Sequence, residues 1–216
     1  MTPAVHIDFS DEQGQHQYWV NSSEVPSVTQ VLEAEGLNSF EWCTERDKAR
    51  GSAVHRIAQI LSGSPIKGNT VDEIISNSRW APESTATALV GYGRAAVLYL
   101  MESGIKPVLV EARVGSVRLN LAGTLDLYGI MPDNTRRLLD FKSGRPQEAA
   151  NVQTALYAAL LKETFGLDTD DRTVVWLMPN GEYKQSLPRP AAGADLAIGV
   201  SAVSLYHWRR KYKQLG

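Results

Sequence analysis

The segment "LLDFKSG", residues 138–144, predicts a short strand that ends at a glycine. Asp140 and Lys142 are two positions apart, so their side chains point to the same face of such a strand. Leu139 and Phe141 then point to the opposite face, into a core. Alone, this pattern also fits an exposed ion pair, which contributes about 0–1 kcal/mol to stability. The segments around it decide between the two interpretations.

The segment "GTLDLYG", residues 123–129, predicts the neighbouring strand and places a second carboxylate in it. By alternation Asp126 and Tyr128 share one face, whereas Leu125 and Leu127 share the other. The turn "MPDNT" is short enough to bring Asp126 beside the carboxylate of the first segment. Two adjacent carboxylates repel each other unless a cation lies between them. Oxygen ligands of this kind suit Mg²⁺ or Mn²⁺, although carboxylates that point to different solvent regions are the alternative.

The order of predicted elements indicates an α/β fold in which helices flank a central mixed β-sheet, preceded by an N-terminal β-hairpin. We expect one domain over residues 1–216, with no linker that would divide it. The hairpin and the first helices fill residues 1–105, and the sheet with its further helices fills residues 106–216. Two β-prone runs near the C-terminus meet at "NG", a dipeptide typical of hairpins.

The strand "VLVEARV", residues 108–114, carries a third acid, Glu111. By alternation it shares a face with Leu109 and Arg113. Glu111 could add a metal ligand or hold a metal-bound water. It could equally form an ion pair with Arg113, and the pattern alone leaves both open.

Two predicted helices carry polar residues beside apolar ones. His55 adjoins the buried stripe of Val54, Ala58 and Leu61, where a histidine is either a half-buried residue with local partners or a ligand. In the helix predicted over residues 148–165, Gln153 and Tyr157 lie one turn apart and share a face. They are boundary residues with local hydrogen bonds, or they contribute to a site.

Composition limits the class of protein. The chain has 216 residues, a net charge of −2 and no apolar run near the ~20 residues that span a bilayer. The N-terminus lacks a basic start and an apolar signal core, so we expect a cytoplasmic protein without a membrane partner. The single cysteine, Cys43, excludes an internal disulfide and gives no basis for a cysteine metal cluster.

The last residues, "YHWRRKYKQLG", include Arg209, Arg210 and Lys211 and contain no acid. Cations at the end of a helix interact favourably with its negative dipole end. The same cluster fits a surface that contacts phosphates, and both interpretations stand.

Five segments in order resemble the RecB-type branch of the PD-(D/E)XK nuclease superfamily. The resemblance covers about half the chain, from Gly51 to Tyr157, and the first fifty residues are similar to small phage-type exonucleases. The segments are "GSAVH", "VEARV", "GTLD", "LLDFKSG" and "QTALY".

The resemblance implies a restriction-endonuclease-like core that cleaves DNA phosphodiesters with Mg²⁺ or Mn²⁺. It makes Asp126, Asp140 and Lys142 the catalytic set, with Glu111 as a further acid. His55 corresponds to an extra metal ligand, and the carbonyl of Phe141 would be another.

Binding of DNA falls to a second set of residues. The resemblance assigns Gln153 and Tyr157 to DNA contact and to shaping the site, and Arg209, Arg210 and Lys211 are the expected phosphate contacts. No iron–sulfur cluster is expected, because the four cysteines that bind it in some relatives are not present.

The expected activity is that of an exonuclease in phage or bacterial DNA recombination, repair or processing, with a recombination or single-strand-binding protein as a partner. The alternative is a catalytically silent module that keeps the nuclease fold to bind DNA or to regulate. A hydrolase of small substrates is a third class, but the sequence has neither a G-x-S-x-G elbow nor an HExxH motif. Oligomeric state and strand polarity are not fixed by any pattern.

Overall fold

The structure is a computed structural model that describes residues 4–12, 15–38, 87–143 and 145–213. The predicted N-terminal hairpin is present and is extended by a third strand. The three antiparallel strands of this small sheet are β1 (Ile7–Glu12), β2 (Gln15–Val20) and β3 (Ser23–Val25).

The larger sheet has six strands in the described part of the chain, and it is mixed as predicted. The first three strands form an antiparallel meander, and the fourth runs parallel to the third. The last two strands both pair antiparallel with the fourth, so the fourth lies inside the sheet. The strands are β4 (Lys106–Ser116), β5 (Leu121–Ile130), β6 (Arg136–Lys142), β7 (Asp171–Leu177), β8 (Tyr183–Gln185) and β9 (Arg189–Pro190).

Four helices are described, and their ends follow signals in the sequence. Ser27 caps the first helix, because its Oγ accepts from the Gln30 backbone N–H at 3.1 Å while its own N–H donates to Gln30 Oε1 at 2.8 Å. Gly166 ends the third helix in the left-handed conformation. The helices are α1 (Val28–Ala34), α2 (Thr87–Ser103), α3 (Ala149–Phe165) and α4 (Ala194–Lys213).

The larger sheet separates two apolar layers. On one side α2 packs against side chains such as Leu139, Phe141 and Val175. On the other side α1, α3 and α4 pack against Tyr128 and Leu138, among others. The predicted arrangement of helices on both faces of a mixed sheet is therefore confirmed. None of the helices in the described ranges is long and apolar enough to cross a membrane.

The small sheet is attached to the start of β5. The Ala122 backbone N–H donates to the Pro26 carbonyl at 3.1 Å, and Ala122 is fully buried against the small sheet. The hydroxyl of Tyr18 lies 3.0 Å from Thr124 Oγ1. These contacts bring β2 next to the residues that precede Asp126.

The alternation of side chains along β4 and β5 changes phase near Glu111. Leu125 packs with the α3 layer, whereas Leu127 packs with the α2 layer, so the prediction that the two share a face was wrong. Leu109 likewise packs in the α3 layer, while Arg113 lies over the ring of Phe9, 4.6 Å from its centroid. The cause is in the backbone of β4.

Glu111 has a φ of +49°, in the left-handed region that breaks the regular pleat of a strand. The two strands keep one register on either side of it, with Val110 opposite Leu127 and Ala112 opposite Leu125. Because the register is unchanged, the side chains of β5 reverse their alternation at the position opposite Glu111. The predicted common face of Glu111, Leu109 and Arg113 does not form for the same reason.

Candidate active site

Asp126 and Asp140 lie opposite each other on adjacent strands. In the β5–β6 pairing, Ile130 is opposite Arg136 and Leu127 is opposite Leu139. One further step in the same register brings Asp126 opposite Asp140. There the Asp126 side chain enters the ladder: its Oδ2 accepts from the Phe141 backbone N–H at 2.6 Å. The two residues are 8% and 1% exposed. The predicted proximity of the two carboxylates is present in the fold.

The same hydrogen bond fixes the direction of the Phe141 carbonyl. In a strand, the N–H and the C=O of one residue point toward the same edge. Because the Phe141 N–H points toward Asp126, its carbonyl points toward β5 as well. The ring of Phe141 packs on the other face, 6.1 Å from the ring of Tyr99 in α2. The Phe141 carbonyl and the Asp126 carboxylate therefore lie at the edge of β6 that faces β5, one residue along the chain from Asp140.

Lys142 shares the face of Asp140, as the strand period predicts. Its Nζ lies 2.7 Å from Asp140 Oδ2, and the lysine side chain is 27% exposed. Burial lowers the pKa of Lys142, but the carboxylates of Asp140 and Asp126 together raise it by more, so the net pKa lies above the usual 10.5. The side chain therefore carries its proton at neutral pH.

The helix after β6 brings two polar side chains to the same face. Gln153 Nε2 donates to Tyr157 Oη at 3.1 Å, and both residues are buried. Burial raises the pKa of Tyr157 well above 10, and charge on Tyr18, Asp140 and Asp126 raises it further. The phenol is therefore neutral and lies within electrostatic reach of both carboxylates.

The glycine of "GTLD" is explained by the tyrosine of "QTALY". A Cβ at Gly123 would lie 2.7 Å from Cε1 of the Tyr157 ring, too close for any other residue without a shift. The close approach of β5 and α3 therefore depends on Gly123. The two quoted segments are parts of one packing contact, three residues from Asp126.

Tyr18 was not among the predicted site residues. Its hydroxyl contacts Thr124, and its charge would raise the pKa of Tyr157, so it lies beside the site. The contact joins residues 106 positions apart, between the small sheet and β5. Local periodicity carries no signal for such a contact.

Arg172 was also missed, and it holds the start of α3 in place. The guanidinium donates to the Asn151 carbonyl and to Thr154 Oγ1, two residues before and one residue after Gln153. It also donates to the Pro190 carbonyl and to Asp195 Oδ2, each at 2.9 Å. Arg172 is 2% exposed, so it links β7, β9, α3 and α4 from inside the protein.

Glu111 and His55 are the two remaining residues that were predicted to act as catalytic or metal-binding groups. Glu111 is opposite Asp126 in the β4–β5 register, beside a surface cleft that Arg113 and His6 also line. His55 lies outside the described residues. Whether either residue takes part in the chemistry stays a prediction.

The basic residues predicted to contact DNA are on the last turns of α4. Arg209 forms an ion pair with Glu35 at 2.9 Å. Arg210 donates to Tyr206 Oη at 3.1 Å, and Lys211 Nζ lies 5.8 Å from the ring centroid of Tyr212. All three are exposed, and their contact with DNA stays a prediction.

The donor set fits a hard divalent cation. Two carboxylates and one backbone carbonyl are oxygen ligands, the type that Mg²⁺ and Mn²⁺ prefer. No group of three or more His, Cys, Asp or Glu side chains within the described ranges is arranged to hold a metal ion. Water and the carbonyl would therefore have to complete the coordination, together with any ligand from residues outside those ranges.

Comparison with known proteins agrees with this geometry. Residues 32–214 match the model of the PD-(D/E)XK nuclease superfamily, a span that includes every predicted site residue. No curated protein matches the chain. The finer resemblance to the RecB-type branch and to phage exonucleases stays a prediction. The match covers most of the sequence, and the chain belongs to the PD-(D/E)XK nuclease superfamily.

Proposed function

We propose that this protein is a divalent-metal-dependent deoxyribonuclease that hydrolyses phosphodiester bonds in DNA. The observation that supports it most is the hydrogen bond of 2.6 Å from the Phe141 N–H to Asp126, which brings Asp126 next to Asp140, with Lys142 Nζ 2.7 Å from Asp140. A sheet needs no such charge cluster for its stability, because apolar residues of similar volume often stabilise a buried position as well as an ion pair does. Superfamily membership supplies the class of reaction, since its members are nucleases.

Asp126, Asp140 and the Phe141 carbonyl would hold the metal, and His55 is the proposed additional ligand. When bound, Mg²⁺ or Mn²⁺ supplies charge neutralisation at the phosphoryl oxygens and activation of water. The Asp126 carboxylate has two oxygens, and the Phe141 N–H occupies Oδ2. That hydrogen bond fixes the orientation of the carboxylate before any ligand arrives.

Lys142 would act as a cation. Its raised pKa means that Nζ carries three protons at neutral pH, so it donates hydrogen bonds. It is suited to orient the attacking water and to stabilise negative charge that develops on a phosphoryl oxygen. Removal of a proton from the attacking water is the other role open to Lys142, since the pKa of a buried lysine shifts readily with its surroundings.

Gln153 and Tyr157 would position the DNA strand. The oxygen of the neutral Tyr157 phenol accepts a hydrogen bond from the Gln153 amide, and its own O–H remains available to donate. Both side chains are buried, and Tyr157 lies within electrostatic reach of both carboxylates, so the pair would limit the space around the scissile phosphate. Arg172 would act through them by fixing the first turns of α3.

The finer proposal is an exonuclease of phage or bacterial DNA recombination, repair or processing. It is supported by the similarity of the first fifty residues and of the five segments to RecB-type and phage-type enzymes. A recombination or single-strand-binding protein is the proposed partner, and the cytoplasm the proposed location.

The experiment is digestion of end-labelled linear DNA and of a closed circle by the purified protein. Both single- and double-stranded forms are supplied, with Mg²⁺, with Mn²⁺ and with EDTA. The proposal expects metal-dependent cleavage of the linear forms, release of short products from the ends and resistance of the circle. Cleavage of the circle would show that the activity is that of an endonuclease and not of an exonuclease. Absence of cleavage of every substrate, in either metal, would contradict the proposal.

One observation favours a second candidate, a silent DNA-binding or regulatory module. The ammonium of Lys142 already neutralises Asp140 within the protein, so the buried carboxylate is stable without a metal ion. Binding of DNA by the wild-type protein, unaffected by metal and followed by no cleavage, is the result that this candidate expects.

A further inference from the structure

The last two turns of α4 expose two aromatic rings next to each other. Trp208 is 59% exposed and Tyr212 is 50% exposed. They are one helical turn apart, with ring centroids separated by 5.2 Å. The two ring planes are tilted by 47°, and because large aromatic side chains are usually buried, this exposed pair calls for an explanation. We call Trp208, Lys211 and Tyr212 the terminal patch.

The segment of chain that carries the terminal patch has charge of one sign. Residues 196–216 contain two arginines and two lysines and no Asp or Glu. Lys211 contacts the Tyr212 ring, and neighbouring Arg210 contacts Tyr206 through its hydroxyl and its ring. Within the described residues no carboxylate pairs with Lys211 or Arg210. The patch is therefore complementary to a polyanion.

Two contacts fix the end of the helix on the body of the protein. Arg209 forms its ion pair with Glu35 at the end of α1, and His207 Nε2 lies 3.1 Å from the Asn120 carbonyl in the β4–β5 turn. The rings are thus presented on a supported helix. A ligand that stacks on them has little ordering entropy to overcome in the protein.

We propose that the terminal patch is a binding site for single-stranded DNA, separate from the carboxylate centre. Bases would stack on Trp208 and Tyr212, and phosphates would lie near Lys211 and Arg210. This combination of exposed rings and cations is the one that proteins use for single strands, because every base has a π-face. The inference rests on the proposed function, since it assumes that DNA is the substrate.

The exposed apolar area favours this ligand over a second copy of the chain. Ile198 and Leu205 extend the face of the two rings along α4 and are 46% and 40% exposed. Together the four side chains expose on the order of 400 Å², about half of what each partner buries in a typical stable interface. A symmetric pair would also bring cationic segments of both copies together.

The test is binding of a fluorescent oligodeoxythymidine of about 20 nucleotides, long enough for one such site. EDTA is present so that the oligonucleotide stays intact. Trp208→Ala is expected to weaken binding roughly tenfold, because one stacked base contributes about that factor to affinity. Trp208→Phe keeps an aromatic ring and is expected to retain most of the wild-type affinity. Lys211→Ala is expected to lower the slope of log affinity against log salt by about 0.7.

Matched controls separate stacking from other effects. Ile198→Ala removes apolar area from the same face of α4, and Lys184→Ala removes an exposed cation from β8. Neither is expected to change affinity for the oligonucleotide. A duplex of the same length is expected to bind without dependence on Trp208, since its bases are already stacked.

The outcomes distinguish this inference from the proposed function. Turnover of a small phosphodiester, bis(p-nitrophenyl) phosphate, with Mn²⁺ is expected to be unchanged in Trp208→Ala. If the wild type cleaves DNA but Trp208→Ala binds the oligonucleotide as tightly as the wild type does, the inference is overturned and the function stands.

If Ile198→Ala and Leu205→Ala instead abolish a dimer seen in sedimentation, the face binds a second copy and the inference is also overturned. A wild type that binds through Trp208 yet cleaves nothing would support the inference and contradict the proposed function.

Discussion

Asp126 accepts a hydrogen bond from the backbone of Phe141, the residue between Asp140 and Lys142, with an Oδ2–N distance of 2.6 Å. The strand pairing of β5 and β6 stops one position earlier, and a side chain takes over from the backbone. One acid therefore orients the strand that carries the other acid and the lysine. Asp126 therefore has two roles in this account: it supports the β5–β6 pairing and it is a proposed metal ligand.

The first prediction separates these two roles of Asp126. Asp126→Asn keeps an oxygen that can accept from Phe141, so it should fold normally, but it lacks the charge needed for a metal and should lose cleavage. Asp126→Ala leaves a buried N–H without its partner and should lower the free energy of unfolding by about 1–3 kcal/mol. Urea denaturation and a cleavage assay measure the two effects. Equal stability of the Asn and Ala variants would show that the hydrogen bond contributes nothing.

The second prediction concerns the stability that Lys142 contributes at high pH. Burial lowers its pKa and the two carboxylates raise it by more, so the folded pKa lies above 10.5. A raised pKa means that the contribution is complete below 10.5 and is lost as pH rises through the folded value. The difference in unfolding free energy between wild type and Lys142→Met should be constant at lower pH and change only above it.

Denaturation in urea at pH values from about 8 to about 11.5 tests this, since lysine titrates in that range. Lys184→Met, at an exposed position, serves as the control for general alkaline destabilisation. If the difference in unfolding free energy between wild type and Lys142→Met has already changed fully below pH 10.5, the carboxylates do not raise the pKa of Lys142 in the folded state.

The third prediction concerns Gly123. Gly123→Ala places a methyl group 2.7 Å from the Tyr157 ring, so it should cost about 1–3 kcal/mol and reduce cleavage by moving the ring. In a Tyr157→Leu background the clash is relieved, and the same substitution should cost much less. A double-mutant cycle measures this coupling. Equal costs in both backgrounds would show that the glycine is needed for another reason.

The fourth prediction separates strain from chemistry at Glu111. Glu111→Gly removes the left-handed strain and should raise stability by up to about 1 kcal/mol, while Glu111→Gln keeps the strain and removes only the charge. If Glu111 takes part in the reaction, both variants should cleave DNA more slowly. Asn120→Gly is a matched control, because Asn120 has nearly the same φ of +48° in the β4–β5 turn. Wild-type cleavage rates in both Glu111 variants would remove this residue from the proposed mechanism.

Signals that are local in the sequence predicted much of the fold. The "NG" dipeptide gives the β7–β8 turn, where Gly181 has a φ of +88°, and Ser27 caps α1 as expected. The short turn between β5 and β6 was enough to place Asp126 opposite Asp140, because antiparallel neighbours in a meander have their register fixed by the turn. Period-two geometry then put Lys142 on the face of Asp140.

What the sequence did not predict depends on backbone strain or on distant contacts. A left-handed φ at Glu111 reverses the faces of the residues that follow. A glutamate does not predict such a φ, because glycine and asparagine are the residues that usually adopt it. Tyr18 and Arg172 reach the candidate site through contacts with residues that are 106 and 18 positions away in the chain. Tertiary packing decides such positions, so they could be found only in the fold.

The most direct test of the central claim is the cleavage rate of Lys142→Ala and Asp140→Asn on labelled linear DNA with Mg²⁺. The wild type, and each variant with EDTA, are measured beside them, and circular dichroism and urea denaturation establish that the variants are folded. The account predicts a loss of about a hundredfold or more in each folded variant, because each removes a group that acts on the scissile phosphate or its metal. Cleavage by folded Lys142→Ala at the wild-type rate would contradict it.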